Sequence, residues 1–214
     1  MNRRILLFWI FIVFVSHSAW GQIYSIPFAS KGNRIELDVV NVGEIKSSTI
    51  EVVAVSYPNW VQFESPSQQI NTLHSNQQSK VGFSFSINKD APVGTIGTLY
   101  FEIKEGENVL RTKEIRIESE APKQFTLFQN YPNPFNPSTT LSWQLPQKMN
   151  LELSIFNTLG QRVYTKAFDQ QPAGNHTFTW QAGVLASGAY FYELKGKSSN
   201  KNTFRKTGKM LLVK

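Results

Sequence analysis

The sequence predicts an all-β protein with two antiparallel β-sandwich domains in tandem, and three observations lead to this fold class. Apolar and polar residues alternate with a period of two through most of the 214 residues, and no segment fits a helical period. Turn-forming residues interrupt the alternation at short intervals, as they do in sandwiches built from short strands. Near residue 120 the alternation stops and the charge balance changes, which is typical of a domain boundary.

The first domain is predicted over residues 22–118 as seven short strands. The clearest is the fifth, where Val81, Phe83 and Phe85 alternate with small polar residues. Trp60 follows a proline turn and is expected to fill the core, because large aromatic side chains dominate core burial. The predicted strands are Ile23–Phe28, Arg34–Asn41, Ser48–Val55, Trp60–Glu64, Lys80–Ile87, Gly97–Lys104 and Val109–Ile117.

Residues 119–124 are predicted to link the two domains, because Ser119–Lys123 contains a proline and shows no alternation. The charges support this division. Residues 22–118 carry nine Lys or Arg and eleven Asp or Glu, whereas residues 119–214 carry eleven and four. The basic residues of the second domain are scattered and do not interleave with stacking aromatics, so nucleic acid is not expected as a partner.

The second domain, residues 125–214, is predicted as a further β-sandwich. Turns are expected at Thr158–Gln161 and Pro172–Asn175, and Trp143 and Trp180 supply aromatic mass for a core. The predicted strands are Thr139–Leu145, Leu151–Asn157, Gln161–Asp169, His176–Trp180, Gly188–Leu194 and Lys209–Val213.

A proline-rich segment, NYPNPFNP, precedes the first of these strands. Each proline fixes its own backbone and pushes the residue before it away from helical geometry, so the segment is expected to be a rigid lead-in. Its Asn side chains can bond to nearby backbone groups. Pro134 and Pro137 also form a PxxP pair, which leaves open a ligand for a polyproline-binding partner.

Residues 1–21 have the order of a secretory signal peptide: Arg3 and Arg4, an apolar run from Ile5 to Val15, then small residues. Cleavage is expected between Gly21 and Gln22. The apolar run is shorter than the about 20 residues of a membrane-spanning helix, so the mature protein is expected to be exported and not membrane-spanning. The sequence has no Cys, which excludes disulfides and thiolate chemistry.

The sequence shows no motif that would carry a reaction. His74 and His176 are the two histidines after the signal peptide, and neither belongs to a metal-binding motif. Nucleophile, phosphate-binding and calcium-binding patterns are also missing. The carboxylates Glu36, Asp38, Glu51, Glu102 and Glu114 fall within predicted strands and are expected to be solvated. We therefore expect a non-enzymatic protein with no cofactor and no metal.

Three segments of the first domain carry a family likeness. They are Leu37–Gly43, Tyr57–Phe63 and Ala91–Ile103. In pattern they resemble the bacterial immunoglobulin-like modules attached to secreted glycosidases and surface proteins. The resemblance implies an immunoglobulin-like sandwich that spaces, presents or binds and does not catalyse.

A series of short segments runs in fixed order through the second domain: Asn130–Pro137, Leu153–Gln161, Ala173–His176 with Trp180, Leu185–Phe191 and Lys209–Lys214. This series resembles the C-terminal sorting domain that the type IX (Por) secretion system of Bacteroidota recognises. One departure is Ala189, where the family commonly has Val. The sorting-motif residues carried by the resemblance are Asn130, Tyr131, Pro132, Asn133, Pro134, Gly160, Gly188, Tyr190, Lys209, Met210 and Lys214.

The resemblance implies an exported protein that passes through the periplasm and is then secreted or displayed on the cell surface. Its implied partners are the outer-membrane translocon of the type IX system and a sortase-like surface protease. Physically, the apolar segment between Lys209 and Lys214 is suited to strand addition to a receptor sheet. The alternative reading is that Met210–Val213 is simply the last core strand.

Two further interpretations stay open, one for the first domain and one for the whole chain. It is a carbohydrate- or protein-binding accessory module if exposed aromatics such as Tyr57 or Trp60 stack on a glycan. Alternatively, the chain is the remnant of a larger secreted hydrolase that kept only its accessory and sorting domains.

Overall fold

The computed structural model of the protein describes residues 5–12, 22–198 and 203–214, and within them every regular element is a β-strand. The predicted all-β class is therefore confirmed. The described part of the chain contains no helix with the length and hydropathy needed to cross a membrane. The strands are β1 (Ile5–Ile12), β2 (Ile23–Ile26), β3 (Asn33–Asn41), β4 (Ile50–Ser56), β5 (Val61–Phe63), β6 (Ser67–Ile70), β7 (Gln78–Ile87), β8 (Ile96–Glu105), β9 (Asn108–Ser119), β10 (Thr126–Leu127), β11 (Ser138–Leu145), β12 (Met149–Phe156), β13 (Arg162–Gln171), β14 (Gly174–Gln181), β15 (Gly188–Ser198) and β16 (Thr203–Leu212).

The chain folds into two compact units, Met1–Glu120 and Ala121–Lys214. The first unit is a sandwich of two sheets with the strand orders β1-β3-β7-β5 and β2-β9-β8-β4-β6. Its pairs are antiparallel except for β2 and β9, which run parallel. The alternation seen in the sequence places Leu37, Phe83 and Phe101 in the core, each fully buried.

Trp60 belongs to that core, as predicted from the sequence, because only 8% of it is exposed. Gly97 makes room for its ring: a Cβ atom at residue 97 would come within 2.5 Å of Trp60 Cζ2. A buried indole cannot stack on a glycan, so the idea of Trp60 as a sugar platform is wrong. Tyr57 remains accessible, with 38% of its surface exposed.

The second unit is also a sandwich, with the strand orders β10-β11-β14 and β13-β12-β15-β16. Trp143, Trp180 and Tyr192 fill the space between its sheets and are all buried. Large aromatic side chains supply most of the apolar area here, as the sequence indicated. The last strand, β16, forms one edge of the four-stranded sheet.

Several strands differ from the predictions, and three of the differences have a clear physical reason. β6 was not predicted, since Ser67–Ile70 is mostly polar and has no apolar alternation. β16 begins at Thr203, six residues before the predicted start. β9 continues to Ser119, which is 1% exposed, so the first residue of the predicted linker is the buried end of a strand.

Candidate functional site

The last strand has two different faces. β16 pairs antiparallel with β15, so that Met210 lies opposite Tyr190 and Leu212 opposite Gly188. Met210 and Leu212 point into the core and are 0% and 1% exposed. Lys209 and Leu211 alternate with them on the outer face, where both are exposed. The burial of Met210 and Leu212 confirms the reading of this segment as the last core strand. Strand addition to a receptor sheet stays a prediction.

The edge of β16 that faces away from β15 is hydrogen-bonded to the proline-rich segment. Phe135 N–H donates to Leu211 O at 3.0 Å, and Val213 N–H donates to Phe135 O at 3.0 Å. Asn133 Oδ1 accepts a bond from Leu211 N–H at 2.9 Å, and Gln129 Nε2 donates to Lys209 O at 2.9 Å. Prolines have no N–H to offer a neighbouring strand, so the side chains of Gln129 and Asn133 supply bonds that the backbone of this segment cannot make. We call residues 129–135 the cap of β16.

Asn130 fixes the cap from inside. It is 2% exposed, and its Nδ2 donates to Pro132 O at 3.0 Å and to Thr139 Oγ1 at 2.9 Å. Its Oδ1 accepts a bond from Gln129 Nε2 at 2.6 Å, and its backbone N–H donates to Tyr192 Oη at 3.2 Å. A buried amide with its donors and acceptor satisfied holds a single geometry, since leaving any of these groups unpaired is costly.

Tyr192 connects the cap to the sheet. Its ring lies in the core, 1% exposed, and its hydroxyl donates to Phe128 O at 3.0 Å. Burial raises the pKa of Tyr192, and the bond from Asn130 N–H lowers it by less. The phenol therefore stays neutral at physiological pH and keeps its proton for Phe128.

Gly208 is a functional position that the sequence reasoning missed. It lies opposite Tyr192 in the β15–β16 register, and a Cβ atom there would overlap the Tyr192 ring and hydroxyl. The available signal was a glycine inside a strand, which often marks the close approach of another group.

Replacement of Gly208 by alanine is expected to destabilise the second unit by about 2–4 kcal/mol, because the new methyl group displaces Tyr192 and breaks its two hydrogen bonds. Thermal denaturation of the purified protein measures this change. Gly160→Ala is the matched control. Gly160 has open space around it but a φ of +76°, so we expect a loss of only about 1–2 kcal/mol. Equal melting temperatures for the two variants would contradict the packing argument.

The other residues of the proline motif point outwards. Tyr131 is 82% exposed, although its backbone bonds both ways with Thr140 at 2.9 and 3.0 Å. Pro132 and Pro134 are exposed, and the peptide bonds preceding them are cis. Phe135 turns inward, is 2% exposed and packs against Trp180 with 5.8 Å between ring centroids.

Three more predicted residues adjoin β16. Gly188 starts β15 with a φ of +153°, and Tyr190 Oη donates to Ala186 O at 2.8 Å. Lys214 Nζ donates to Gly183 O at 3.0 Å, and Lys214 N–H donates to Ser187 Oγ at 3.0 Å. These bonds tie the residues after β16 to the loop before β15.

Three of the predicted positions do not join this site. Gly160 lies in the β12–β13 hairpin, which β15 separates from β16 in the sheet. Its role is conformational, because the turn needs a positive φ and Asn157 Oδ1 accepts bonds there from Leu159 and Gln161. The predicted cleavage position Gly21 lies outside the described residues. Gln22 is the first residue of the described range 22–198 and belongs to the first unit.

The outer face of β15 and β16 combines apolar and basic side chains. Phe191 lies opposite Lys209, and Phe191 and Leu211 are 42% and 41% exposed. We call Phe191, Lys209 and Leu211 the outer tail face. Further along the same two strands, Lys195 Nζ lies 2.9 Å from Glu193 Oε1, and Arg205 Nε donates to Glu193 Oε2.

Glu193 is 4% exposed despite its position on the outer side of the sheet. Burial raises the pKa of this carboxyl, but the hydrogen bonds and charges of Lys195 and Arg205 outweigh burial, so the pKa lies below its usual value. The carboxylate is thus ionised at neutral pH and pairs with two basic side chains near β16, Lys195 and Arg205, leaving one net positive charge in this group.

Comparison with known proteins identifies one family. Residues 129–207 match the family described as the secretion system C-terminal sorting domain. The matched span contains the cap, Gly160, Gly188 and Tyr190, whereas Lys209, Met210 and Lys214 follow it. No curated protein matches the chain.

Several solved structures match the chain at low identity and low TM-score. CopC from Methylosinus trichosporium OB3b is 17% identical with a TM-score of 0.31, over 42% of this chain and 93% of that one. Dimeric latent PorU from Porphyromonas gingivalis is 12% identical with a TM-score of 0.35, over 99% of this chain and 20% of that one. A β-glucuronidase from Parabacteroides merdae is 10% identical with a TM-score of 0.30, over 86% of this chain and 28% of that one. Likenesses at this level support no assignment of function.

Proposed function

We propose, on the premise that residues 129–207 are a type IX secretion C-terminal sorting domain, that β16 and its cap form the part that the outer-membrane translocon reads. The sorting domain places the protein on the route through the periplasm to the cell surface or the extracellular space. The first unit is the passenger on this route. A sortase-like surface protease acts on the chain after translocation.

The observation that carries the proposal is the arrangement around β16. Its free edge is already bonded to Asn133 and Phe135, so a receptor strand could add there only by displacing the cap. The outer tail face needs no such rearrangement, because Phe191, Lys209 and Leu211 are exposed in the folded unit. Recognition therefore proceeds through these side chains, with the cap holding the strand in place.

The passenger is non-enzymatic. Two of its strand carboxylates pair with cations: Glu36 lies 3.0 Å from Arg34, and Glu102 lies 3.1 Å from Lys104. Such pairs on a sheet face differ from the two facing carboxylates that glycoside hydrolysis requires. Both pairs lie within one strand, and partly exposed ion pairs of this kind stabilise a sheet only modestly.

A fusion experiment tests the sorting function. Residues 119–214 are joined to a fluorescent protein that carries an N-terminal signal peptide, and the fusion is produced in a host with the type IX system. We expect the fluorescent protein at the cell surface, measured by protease accessibility on intact cells. Retention in the periplasm, while the full-length protein reaches the surface, would refute the proposal.

A second function, glycan binding by the first unit, is favoured by two exposed tyrosines. Tyr57 and Tyr100 are 38% and 37% exposed, and Tyr100 lies opposite Ser56, the neighbour of Tyr57. Accessible aromatic rings offer apolar faces for stacking. A glycan array with residues 22–118 tests this function, and loss of a binding signal in Tyr57→Ala assigns it to this surface.

We also expect the signal peptide to be removed. Mass spectrometry of the exported protein should find Gln22 at the N-terminus, because residues 1–21 have the basic, apolar and small-residue order that signal peptidases require. A retained Met1 would contradict this expectation.

A further inference from the structure

The sheet edges of the first unit differ in length. The edge strands β5, β2 and β6 have three, four and four residues, whereas β3 has nine. Short edge strands are one way in which proteins prevent unwanted pairing with other chains. β3 contains no proline, and three of its side chains alternate towards the core. It would be the longest edge strand described in this unit if β1 were removed.

β1 alone covers this edge among the described residues. β3 pairs with β7 on one side and with β1 on the other. β2 pairs with β9 in the opposite sheet, so it does not take the place of β1. The described buried cluster of the first unit begins at Ile26, and loss of residues 1–21 therefore removes none of these core side chains. In a form that begins at Gln22, the outer N–H and C=O groups of β3 face solvent.

Asp38, near the middle of β3, has a carboxylate oxygen without a hydrogen-bond donor in the described part of the chain. In the chain that includes residues 1–21 it is 3% exposed, and its Oδ1 accepts no hydrogen bond from the described residues. Lys80 Nζ, across the β3–β7 pair, lies 4.0 Å away. The β1–β3 pairing shifts register at this point, so Asp38 is skipped between Leu37 and Val39. A buried carboxylate oxygen without a donor is costly, and β1 does not supply one through a paired residue.

We propose that the free edge of β3 in the form starting at Gln22 binds an extended strand of another polypeptide chain, with a Lys or Arg opposite Asp38. The strand adds in antiparallel orientation, and its apolar side chains lie beside Ile35, Leu37 and Val39. Backbone bonds supply affinity and the alternating side chains supply specificity. This inference depends on removal of the signal peptide and is independent of the sorting function.

The partner that we propose is a different chain, because the symmetric register that keeps Leu37 opposite Leu37 is unfavourable for a second copy. Symmetric antiparallel pairing of two β3 strands about Leu37 would place Glu36 of each copy opposite Asp38 of the other. Like charges directly opposite each other destabilise a strand pair. β7 shows the favoured chemistry on the other edge of β3, where Lys80 lies opposite Asp38 and Val81 opposite Leu37.

A peptide with the β7 sequence, QSKVGFSFSI, is therefore the probe. It is titrated into residues 22–214, and hydrogen exchange maps the amides that become protected. We expect saturable binding that protects β3, and at least about fivefold weaker binding when the peptide carries Lys80→Glu, since the exchange replaces attraction by repulsion opposite Asp38.

The full-length chain, residues 1–214, is the control, because β1 occupies the edge and should block the peptide. Equal binding of the Lys and Glu peptides would overturn the proposal, as would protection mapped to another edge or equal binding by the two protein forms. Self-association of residues 22–214 through β3 that excludes the peptide would overturn it in favour of a second copy. Sizing of the protein at several concentrations detects that outcome.

Discussion

Removal of Lys209–Lys214 is expected to abolish delivery to the cell surface and to destabilise the second unit, while the first unit stays folded. Met210 and Leu212 are fully buried, and loss of each such side chain costs about 2–5 kcal/mol. The cap also loses its partners on β16. The described core of the first unit extends only from Ile26 to Ile117, so truncation leaves it intact. Protease accessibility on intact cells measures delivery, and thermal denaturation of the purified protein measures both units.

Met210→Ala separates the two effects of this truncation. It removes core volume and leaves the exposed side chains of β16 unchanged, so we expect lower stability but continued delivery of the folded fraction. The explanation fails if the truncated protein reaches the surface at the normal level. It also fails if truncation unfolds the first unit.

Replacement of Asn130 by alanine is expected to cost the second unit about 2–3 kcal/mol, because Thr139 Oγ1 and Gln129 Nε2 each lose a buried bond and the cap is no longer fixed from inside. For a unit of this size the melting temperature should fall by roughly 10 °C or more. Calorimetry on the purified protein measures the shift.

Asn136→Ala is the matched control, since Asn136 lies in the same proline-rich segment but is exposed. We expect it to change the free energy of unfolding by no more than about 0.5 kcal/mol. If the two variants have the same melting temperature, the buried amide of Asn130 does not hold the cap.

The strands could be predicted from the sequence wherever one face is buried. In β7 the alternation of Val81, Phe83 and Phe85 predicted both the strand and the face of it that packs in the core. The same reasoning failed for the first half of β16, where Lys206 and Gly208 alternate with polar residues and show no apolar period. Pairing with β15 forms this half of the strand, and such pairing is not visible in a local pattern.

Some members of the site were predicted, such as Asn130, Asn133 and Lys209, but others, such as Gln129 and Gly208, and the contacts among them were not. The sequence reasoning expected the Asn side chains of the proline segment to bond to nearby backbone. Asn130 does so with Pro132, whereas Asn133 reaches Leu211, 78 residues away. Nothing in the spacing reveals so distant a contact. The overlap of Gly208 with Tyr192 was likewise invisible, because it depends on cross-strand register.

In the proposed mechanism the translocon reads the exposed side chains of β16, a strand that the cap holds in place. The most direct measurement compares the cell-surface fraction of the full-length protein with that of the double variant Lys209→Ser, Leu211→Ser, alongside their melting temperatures. Both side chains are exposed, so we expect stability within about 1 kcal/mol of the parent. We expect the double variant to fold and to accumulate in the periplasm, because it lacks the side chains that the translocon reads. Normal surface delivery of that variant would contradict this mechanism.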